Sequence, residues 1–150
     1  MYNQSSHLIQ HQLKVATGNG DVVDELCSPH LVDHQLGLSG HGEEAREHVR
    51  AAMRDVHEAF PDIRFTIEDS VVNADRIWVR ARGQGTATGP YFGPPSGRRI
   101  DFYVFDIARI QDGQIVEHWG VPDRFAVLAQ TGLLDRLAGP AAASDRGPVE

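Results

Sequence analysis

The hydrophobic pattern of this chain changes its period at Pro61, and this change constrains the fold more than any other feature. From Glu43 to Phe60, apolar residues recur at helical spacing, which indicates a long helix with one buried face. Pro61 disfavours a helical conformation in the residue before it and therefore ends that helix. Beyond Pro61, apolar and polar residues alternate, as they do in half-buried strands. Helices followed by a run of strands indicate an α+β fold.

The second half of the chain predicts four consecutive antiparallel strands. The first two occupy residues 62–72 and 75–88, with a tight turn at Asn73–Asp75 between them. The third occupies residues 100–110, and Asp112–Gly113 marks a hairpin into the fourth. We expect a curved, mainly antiparallel sheet that wraps around the long helix as a cone-shaped barrel. A ligand cavity would then lie between the concave face of the sheet and the helix.

The remaining segments are shorter elements at the two ends of the chain. Helical spacing predicts N-terminal helices from Ser6 to Thr17 and from Asp21 to Cys27, and a short helix over residues 124–138 finishes the fold. The tail, residues 139–150, is small and polar and is expected to be disordered. A chain of 150 residues suggests a single domain, here residues 1–138, with a core large enough to contain a cavity.

Charge and composition exclude several classes of partner. The net charge is −7 and the 14 Lys and Arg residues are scattered, so no basic stripe is available for nucleic acid. No apolar run approaches the roughly 20 residues that a membrane span needs. The first residues lack the basic and apolar regions of a signal peptide. Cys27, the one cysteine, has no partner in the chain for a disulfide and is expected in the core. These features predict a cytoplasmic protein that binds neither nucleic acid nor membrane.

Motifs for cofactors and metals are not present in the sequence. The glycine-containing stretches at residues 83–89 and 93–99 lack the spacing of dinucleotide and phosphate loops, so we interpret them as turns. The pairs His7/His11 and His30/His34 have helical spacing but no third ligand, and the chain has no second cysteine. We therefore expect no cofactor and no metal.

The fourth strand, "IVEHWGVPDRF" at residues 115–125, carries the most unusual set of side chains. Strict alternation places Glu117 and Trp119 on one face and His118 on the other. A bulge near Gly120–Pro122 would relax that alternation and bring both rings into the cavity. We interpret Trp119 as a wall of the cavity and His118 as a catalytic hydrogen-bond donor.

Asp123 has two interpretations. It can cap the helix that follows, or it can stand at the mouth of the cavity beside Trp119. In the second position, desolvation makes the carboxylate a stronger base, suited to removing a proton next to a carbonyl group. We favour this catalytic role, with His118 or His34 donating to the enolate oxygen.

Further residues are predicted to line the substrate pocket. His34 is either a buried histidine with a satisfied hydrogen bond or a donor in the pocket. The other predicted pocket residues are Trp119, Phe60, Tyr103, Phe105 and Arg82.

Several ordered segments resemble the SnoaL-like polyketide cyclase family, which belongs to the nuclear transport factor 2-like superfamily. They are "AFPD" at 59–62, "GTATGPYFGPPSGRRI" at 85–100, "DIARIQDGQIVEHW" at 106–119, and Asp123 with "LAQTGLL" at 128–134. The resemblance covers about residues 8–135. It implies the conical α+β fold described above.

The resemblance also implies an activity. Members close a ring of a polyketide-like small molecule by intramolecular aldol condensation, without cofactor or metal, and the acid/base aspartate of the family falls on Asp123. The fold implies a homodimer or homotetramer assembled through the convex side of the sheet. Ala87 stands where members often have histidine. Alternatives are a hydroxylase or other tailoring enzyme of natural-product biosynthesis, and a non-catalytic module that binds a small molecule.

Overall fold

The computed structural model describes Lys14 and residues 17–139. Most of the helix predicted from Ser6 to Thr17, and the tail after Gly139, lie outside the described residues. The elements, in chain order, are α1 (Val22–Leu26), β1 (Cys27–Asp33), β2 (Gly40–His41), α2 (Gly42–Ala59), β3 (Arg64–Asn73), β4 (Arg76–Thr86), β5 (Arg99–Gln111), β6 (Gln114–Pro122), α3 (Arg124–Gln130) and α4 (Leu133–Ala138).

The predicted long helix, α2, is confirmed, and it ends just before Pro61. It stops at Ala59, and the amide of Phe60 closes the last turn on the Val56 carbonyl at 2.9 Å. Its apolar stripe packs against the sheet, with Val49 and Met53 buried. The helix thus forms one wall of the core, opposite the concave face of the sheet.

The sheet has six strands in the order β2-β1-β6-β5-β4-β3. The four predicted strands, β3 to β6, are confirmed as an antiparallel series. The prediction missed β1, which extends the sheet by pairing in parallel with β6, with Asp33 opposite His118. The predicted α+β fold, with a curved, mainly antiparallel sheet around the long helix, is confirmed; the sheet is open, with β2 and β3 as its edges.

Two tight turns lie where the sequence predicts them. Ala74 has φ 53° between β3 and β4, and Asp112 and Gly113 have φ 50° and 78° between β5 and β6. In the second turn both central residues, Asp112 and Gly113, have positive φ, which is the geometry of a type I′ hairpin and matches the twist of the flanking strands.

A β-bulge in β6 changes which side chains face the core. Arg109 pairs with Glu117, but Ile110 pairs with Ile115, so Val116 is the extra residue. The bulge was expected near Gly120–Pro122, and the structure has it at Val116. Because the bulge reverses the alternation, Ile115 and His118 are both buried and both face the concave side.

The ends of the described region differ in detail from the prediction. The final helix is two helices, because Gly132 adopts φ 76° between α3 and α4. Asp21 occupies the N-cap position of α1 but makes no capping hydrogen bond with its side chain. Cys27 is buried as expected, and burial, assisted by Asp33, raises the pKa of its thiol to about 12. No helix within residues 17–139 combines the length and apolar character required to cross a membrane.

Candidate active site

A cavity of about 150 Å³ lies between α2 and the concave face of the sheet. Most of its wall is apolar, because α2 presents its hydrophobic stripe and the strands present every second residue. The largest apolar side chains in this wall are Met53, Phe60, Phe65 and Phe102.

The polar residues of the lining come from four parts of the chain. Asp33 ends β1, Asp106 lies in β5, and His118 lies in β6. Gln35 follows β1, and Arg124 begins α3. The parallel pairing of β1 with β6 is what brings the first of these residues to the others.

His118 lies between two buried carboxylates. Its Nδ1 atom is 3.1 Å from Oδ2 of Asp33, and its Nε2 atom is 3.4 Å from Oδ1 of Asp106. Asp106 pairs with Gly120, two residues beyond His118, so both side chains project from one face of the sheet. Asp33 is anchored further, because its Oδ1 accepts the backbone N–H of Gln35 at 2.8 Å.

The charge of His118 follows from these contacts. Burial alone lowers the pKa of an imidazole, but hydrogen bonds and attraction from Asp106 and Asp33 outweigh it here and raise the pKa of His118 to about 10. His118 is therefore an imidazolium at neutral pH. It compensates the carboxylates beside it, and all three side chains are buried.

Gly120 permits the close approach of two polar side chains. A Cβ atom at this position would lie 2.0 Å from Oε1 of Gln35 and 2.7 Å from Oδ1 of Asp106. Only a residue without a side chain leaves that space open. The carboxamide of Gln35 and the carboxylate of Asp106 thus both lie against the backbone of β6 at Gly120.

Arg124 adds a second cation to the lining. Its Nη2 donates to the Leu36 carbonyl at 3.1 Å, and its guanidinium is close enough to the Tyr91 hydroxyl to favour the ionised phenol. The Tyr91 ring packs against Phe60 with 5.1 Å between centroids. Burial raises the pKa of Tyr91, although Arg124 opposes the shift. This phenol is therefore neutral at physiological pH.

The structure brings only two of the predicted site residues, Phe60 and His118, into the cavity. Trp119 and His34 lie outside its lining and stack on each other, with centroids 4.8 Å apart and planes at 7°. Nε2 of His34 is 2.9 Å from Oε1 of Glu117. Trp119 was predicted to wall the cavity, but the bulge in β6 moves it to the outer face of the sheet.

Tyr103, Phe105 and Arg82 also lie on the outer face. Inward positions of β5 carry even numbers, as Phe102 and Asp106 show, so the odd-numbered aromatic residues point away from α2. Nε of Arg82 donates to Oδ1 of Asp101 at 2.7 Å. The structure therefore places these three residues outside this cavity, and Phe105 lines a separate groove on the outer face.

Asp123 occupies the capping position that was its first interpretation. Its Oδ1 accepts the Ala126 N–H at 2.9 Å, and the side chain is exposed. Its chain neighbours Pro122 and Arg124 line the cavity, but Asp123 does not. Trp119 is not the aromatic wall expected beside it. The catalytic role of Asp123 stays a prediction.

Ala87 is buried and serves the backbone rather than the cavity. Its N–H donates to the Arg98 carbonyl and its carbonyl accepts from Gly97 N–H, both at 2.9 Å. Besides His118, the polar side chains of the cavity come from residues that were not predicted from the sequence: Asp33, Asp106, Gln35 and Arg124. In the part of the chain that the structure describes, no three His, Cys, Asp or Glu side chains are arranged to hold a metal ion.

Comparison with solved structures finds close relatives of this architecture. IdmH of Streptomyces antibioticus, described as a candidate polyketide cyclase, is 29% identical, with a TM-score of 0.75 over 87% of this chain and 99% of IdmH. TsrD of Streptomyces laurentii is 28% identical, with a TM-score of 0.75 over 88% of this chain and 97% of TsrD. AclR of Streptomyces galilaeus, described as a candidate hydroxylase, shares the fold at 22% identity, with a TM-score of 0.69 over 87% of this chain and 98% of AclR.

Comparison with curated proteins finds no match. Comparison with protein families finds the SnoaL-like polyketide cyclases, which match residues 7–131. This match spans the described elements from α1 to α3 and includes every polar residue of the cavity. The chain therefore belongs to the SnoaL-like polyketide cyclase family.

Proposed function

We propose that this protein is a cofactor-independent cyclase that closes a ring in a poly-carbonyl substrate by intramolecular aldol condensation. The observation that carries the proposal is the buried Asp33–His118–Asp106 arrangement at the polar end of an apolar cavity. Family membership and the likeness to IdmH support the same reaction class. An apolar wall suits a carbon skeleton, and two carboxylates beside a cation suit the transfer of a proton.

Asp106 acts as the base in this proposal. Asp33 accepts hydrogen bonds on both oxygens, from His118 and from the Gln35 backbone, so its role is to hold the imidazolium. Asp106 lies farther from the ring, at 3.4 Å, and lines the cavity. Its carboxylate removes a proton from the carbon next to a substrate carbonyl, which leaves an enolate.

His118 acts as the acid in the second half of the reaction. The enolate carbon attacks a second carbonyl carbon of the same molecule, which forms one carbon–carbon bond and leaves an alkoxide. The Nε2 proton of His118 passes to that alkoxide, and the proton held by Asp106 then returns to His118. The product has the composition of the substrate, so no oxidant or other reactant is consumed. Before the transfer, the imidazolium stabilises the developing negative charge.

The cavity also orients the substrate. A chain folded against α2 and the sheet brings its reacting carbons together, which removes much of the entropic barrier to ring closure. Arg124 and Gln35, at the same polar end, are placed to receive carbonyl oxygens.

Asp123 provides a competing assignment of the base. The family resemblance assigns it that role, and its neighbours Pro122 and Arg124 line the cavity. Its own carboxylate, however, is exposed and caps α3. The geometry of the described residues favours Asp106.

We also propose that the protein forms a homodimer through the outer face of the sheet. Phe105 and Val121 are 55% and 68% exposed there and border a groove of about 450 Å³. Next to this groove, Arg80 of β4 forms an ion pair with Glu68 of β3, with 3.0 Å between the guanidinium and carboxylate atoms. A two-fold axis would bury the apolar patch of one copy against the same patch of the other.

The reaction class is tested by incubating the protein with a linear β-polyketone thioester in the absence of added cofactor. The cyclase proposal predicts a cyclic product with the mass of the substrate, or with one water fewer after dehydration. Hydroxylation would add one oxygen atom and consume dioxygen. Saturable binding without turnover across such substrates would favour a binding module and contradict the proposal.

A further inference from the structure

The volume of the cavity limits what it can enclose. It measures about 150 Å³, whereas pockets for drug-sized ligands measure roughly 300–1,000 Å³. An engineered apolar cavity of about 150 Å³ accommodates benzene. The space beside His118 is therefore that of one six-membered ring, and a fused system of several rings exceeds it.

Phe102 closes the cavity on the side of β4. Its ring lies directly on Gly83, where a Cβ atom would come within 2.7 Å of Cζ. Phe65 packs edge-on against it, with centroids 6.2 Å apart and planes at 84°. The backbone at Gly83 and the ring of Phe65 contact the Phe102 ring on two sides. These contacts restrict movement of the Phe102 ring away from the cavity.

The opposite boundary is formed by α2, where Ala52 contributes a small side chain to the lining. A longer side chain here would project into the cavity. The two boundaries allow opposite tests, because a smaller side chain at Phe102 enlarges the cavity and a larger side chain at Ala52 fills it.

We propose that the enclosed part of the substrate is a single six-membered ring, or a chain folded to that size, with its oxygen facing His118 and Arg124. Phe102 is the residue that sets this limit. The inference rests on the proposed function for the identity of the site and adds the class of substrate: compact poly-carbonyl chains whose reacting part folds to the size of one six-membered ring. Fused aromatic substrates of three or four rings are excluded from the cavity.

The test measures the affinity of the protein for phenol, 2-naphthol and 2-hydroxyanthracene by ligand-observed NMR and calorimetry. We expect phenol to bind the wild-type protein at one site, and the fused probes to bind at least about tenfold more weakly despite their larger apolar area. Phe102→Ala is expected to bind 2-naphthol more tightly than the wild-type protein does. Phe125→Ala removes the same atoms from an exposed position of α3 and is expected to leave all three affinities unchanged.

Ala52→Leu supplies an independent readout if Phe102→Ala does not fold. It is expected to weaken phenol binding at least about tenfold, because the added side chain occupies the cavity. The proposal is overturned if the wild-type protein binds 2-hydroxyanthracene as tightly as phenol and Ala52→Leu weakens both, or if phenol does not bind. These measurements require no turnover. Their failure leaves the acid–base proposal standing, and failure of the acid–base variants leaves the size limit standing.

Discussion

Nε2 of His118 lies 3.4 Å from Oδ1 of Asp106, on the same face of the sheet and at the edge of an apolar cavity. The two residues belong to adjacent strands, and neither is exposed to solvent. A buried imidazolium beside a buried carboxylate can pass a proton in either direction without competition from water. Asp33 holds the other ring nitrogen and fixes the orientation of the pair.

The pH dependence of stability reports the charge of His118. Its pKa is raised from 6.5 to about 10 in the folded protein, so the folded state binds the proton more tightly than the unfolded state does. The stabilisation is full below about pH 6.5 and is lost as pH rises through about 10. We expect the midpoint of urea unfolding to fall over this range. NMR titration of the ring should place its transition near the upper value; a transition near 6.5 would contradict the ionic arrangement.

Gly120→Ala tests the close approach of the Gln35 and Asp106 side chains to the backbone of β6 at Gly120. The added methyl group would meet both side chains within 3 Å, so we expect a loss of roughly 1–3 kcal/mol in the free energy of unfolding and reduced turnover. Gly20→Ala is the matched control, because its Cβ would make ordinary contacts of 3.4–3.6 Å with Arg50. Equal unfolding midpoints for the two variants would argue against a tightly occupied space over Gly120.

Phe105→Lys tests the proposed dimer. Placing a charge in the apolar patch of the outer face should shift the mass measured by light scattering from that of a dimer to that of a monomer. Phe125→Lys places the same charge on exposed α3 and should leave the mass unchanged. A wild-type protein that is monomeric at high concentration would refute this interface.

Cys27 should be chemically inert in the folded protein. Burial and the neighbouring Asp33 raise the pKa of its thiol to about 12, so little thiolate exists at pH 8. We expect alkylation by iodoacetamide to require unfolding and to accelerate with urea. Rapid modification under native conditions would show that the cavity wall opens beside β1.

The sequence was sufficient for the fold and insufficient for most of the site. The period change at Pro61 and the turns at Ala74 and Asp112 are local signals, and local signals predicted α2 and the four-strand series. The parallel pairing that brings Asp33 to His118 is a contact between residues far apart in the chain, and no local pattern encodes it.

The difference between the predicted site and the residues that line the cavity has one main cause, which is the assignment of strand faces. The bulge at Val116 reverses the alternation of β6 and moves Trp119 outward. In β5, Tyr103 and Phe105 were predicted to line the pocket because they are aromatic. The residues of β5 that face the cavity are Phe102, Val104 and Asp106. The sequence did contain a signal for Asp106, which is a carboxylate at an inward position of an otherwise apolar strand. Such a residue indicates a buried partner, because a buried charge requires one.

The central claim is tested most directly by comparing turnover of Asp106→Asn and Asp123→Asn on one linear β-polyketone substrate. Asparagine cannot accept the substrate proton, and it is also a good helix N-cap, so the second variant keeps the start of α3. Near-ultraviolet circular dichroism and phenol binding confirm that each variant retains the folded cavity. We expect Asp106→Asn to lower kcat by roughly 10²–10⁴-fold, as loss of a general base does, and Asp123→Asn to remain within about threefold of the wild-type protein. The opposite result, with Asp123→Asn inactive and Asp106→Asn near the wild-type rate, would contradict the account.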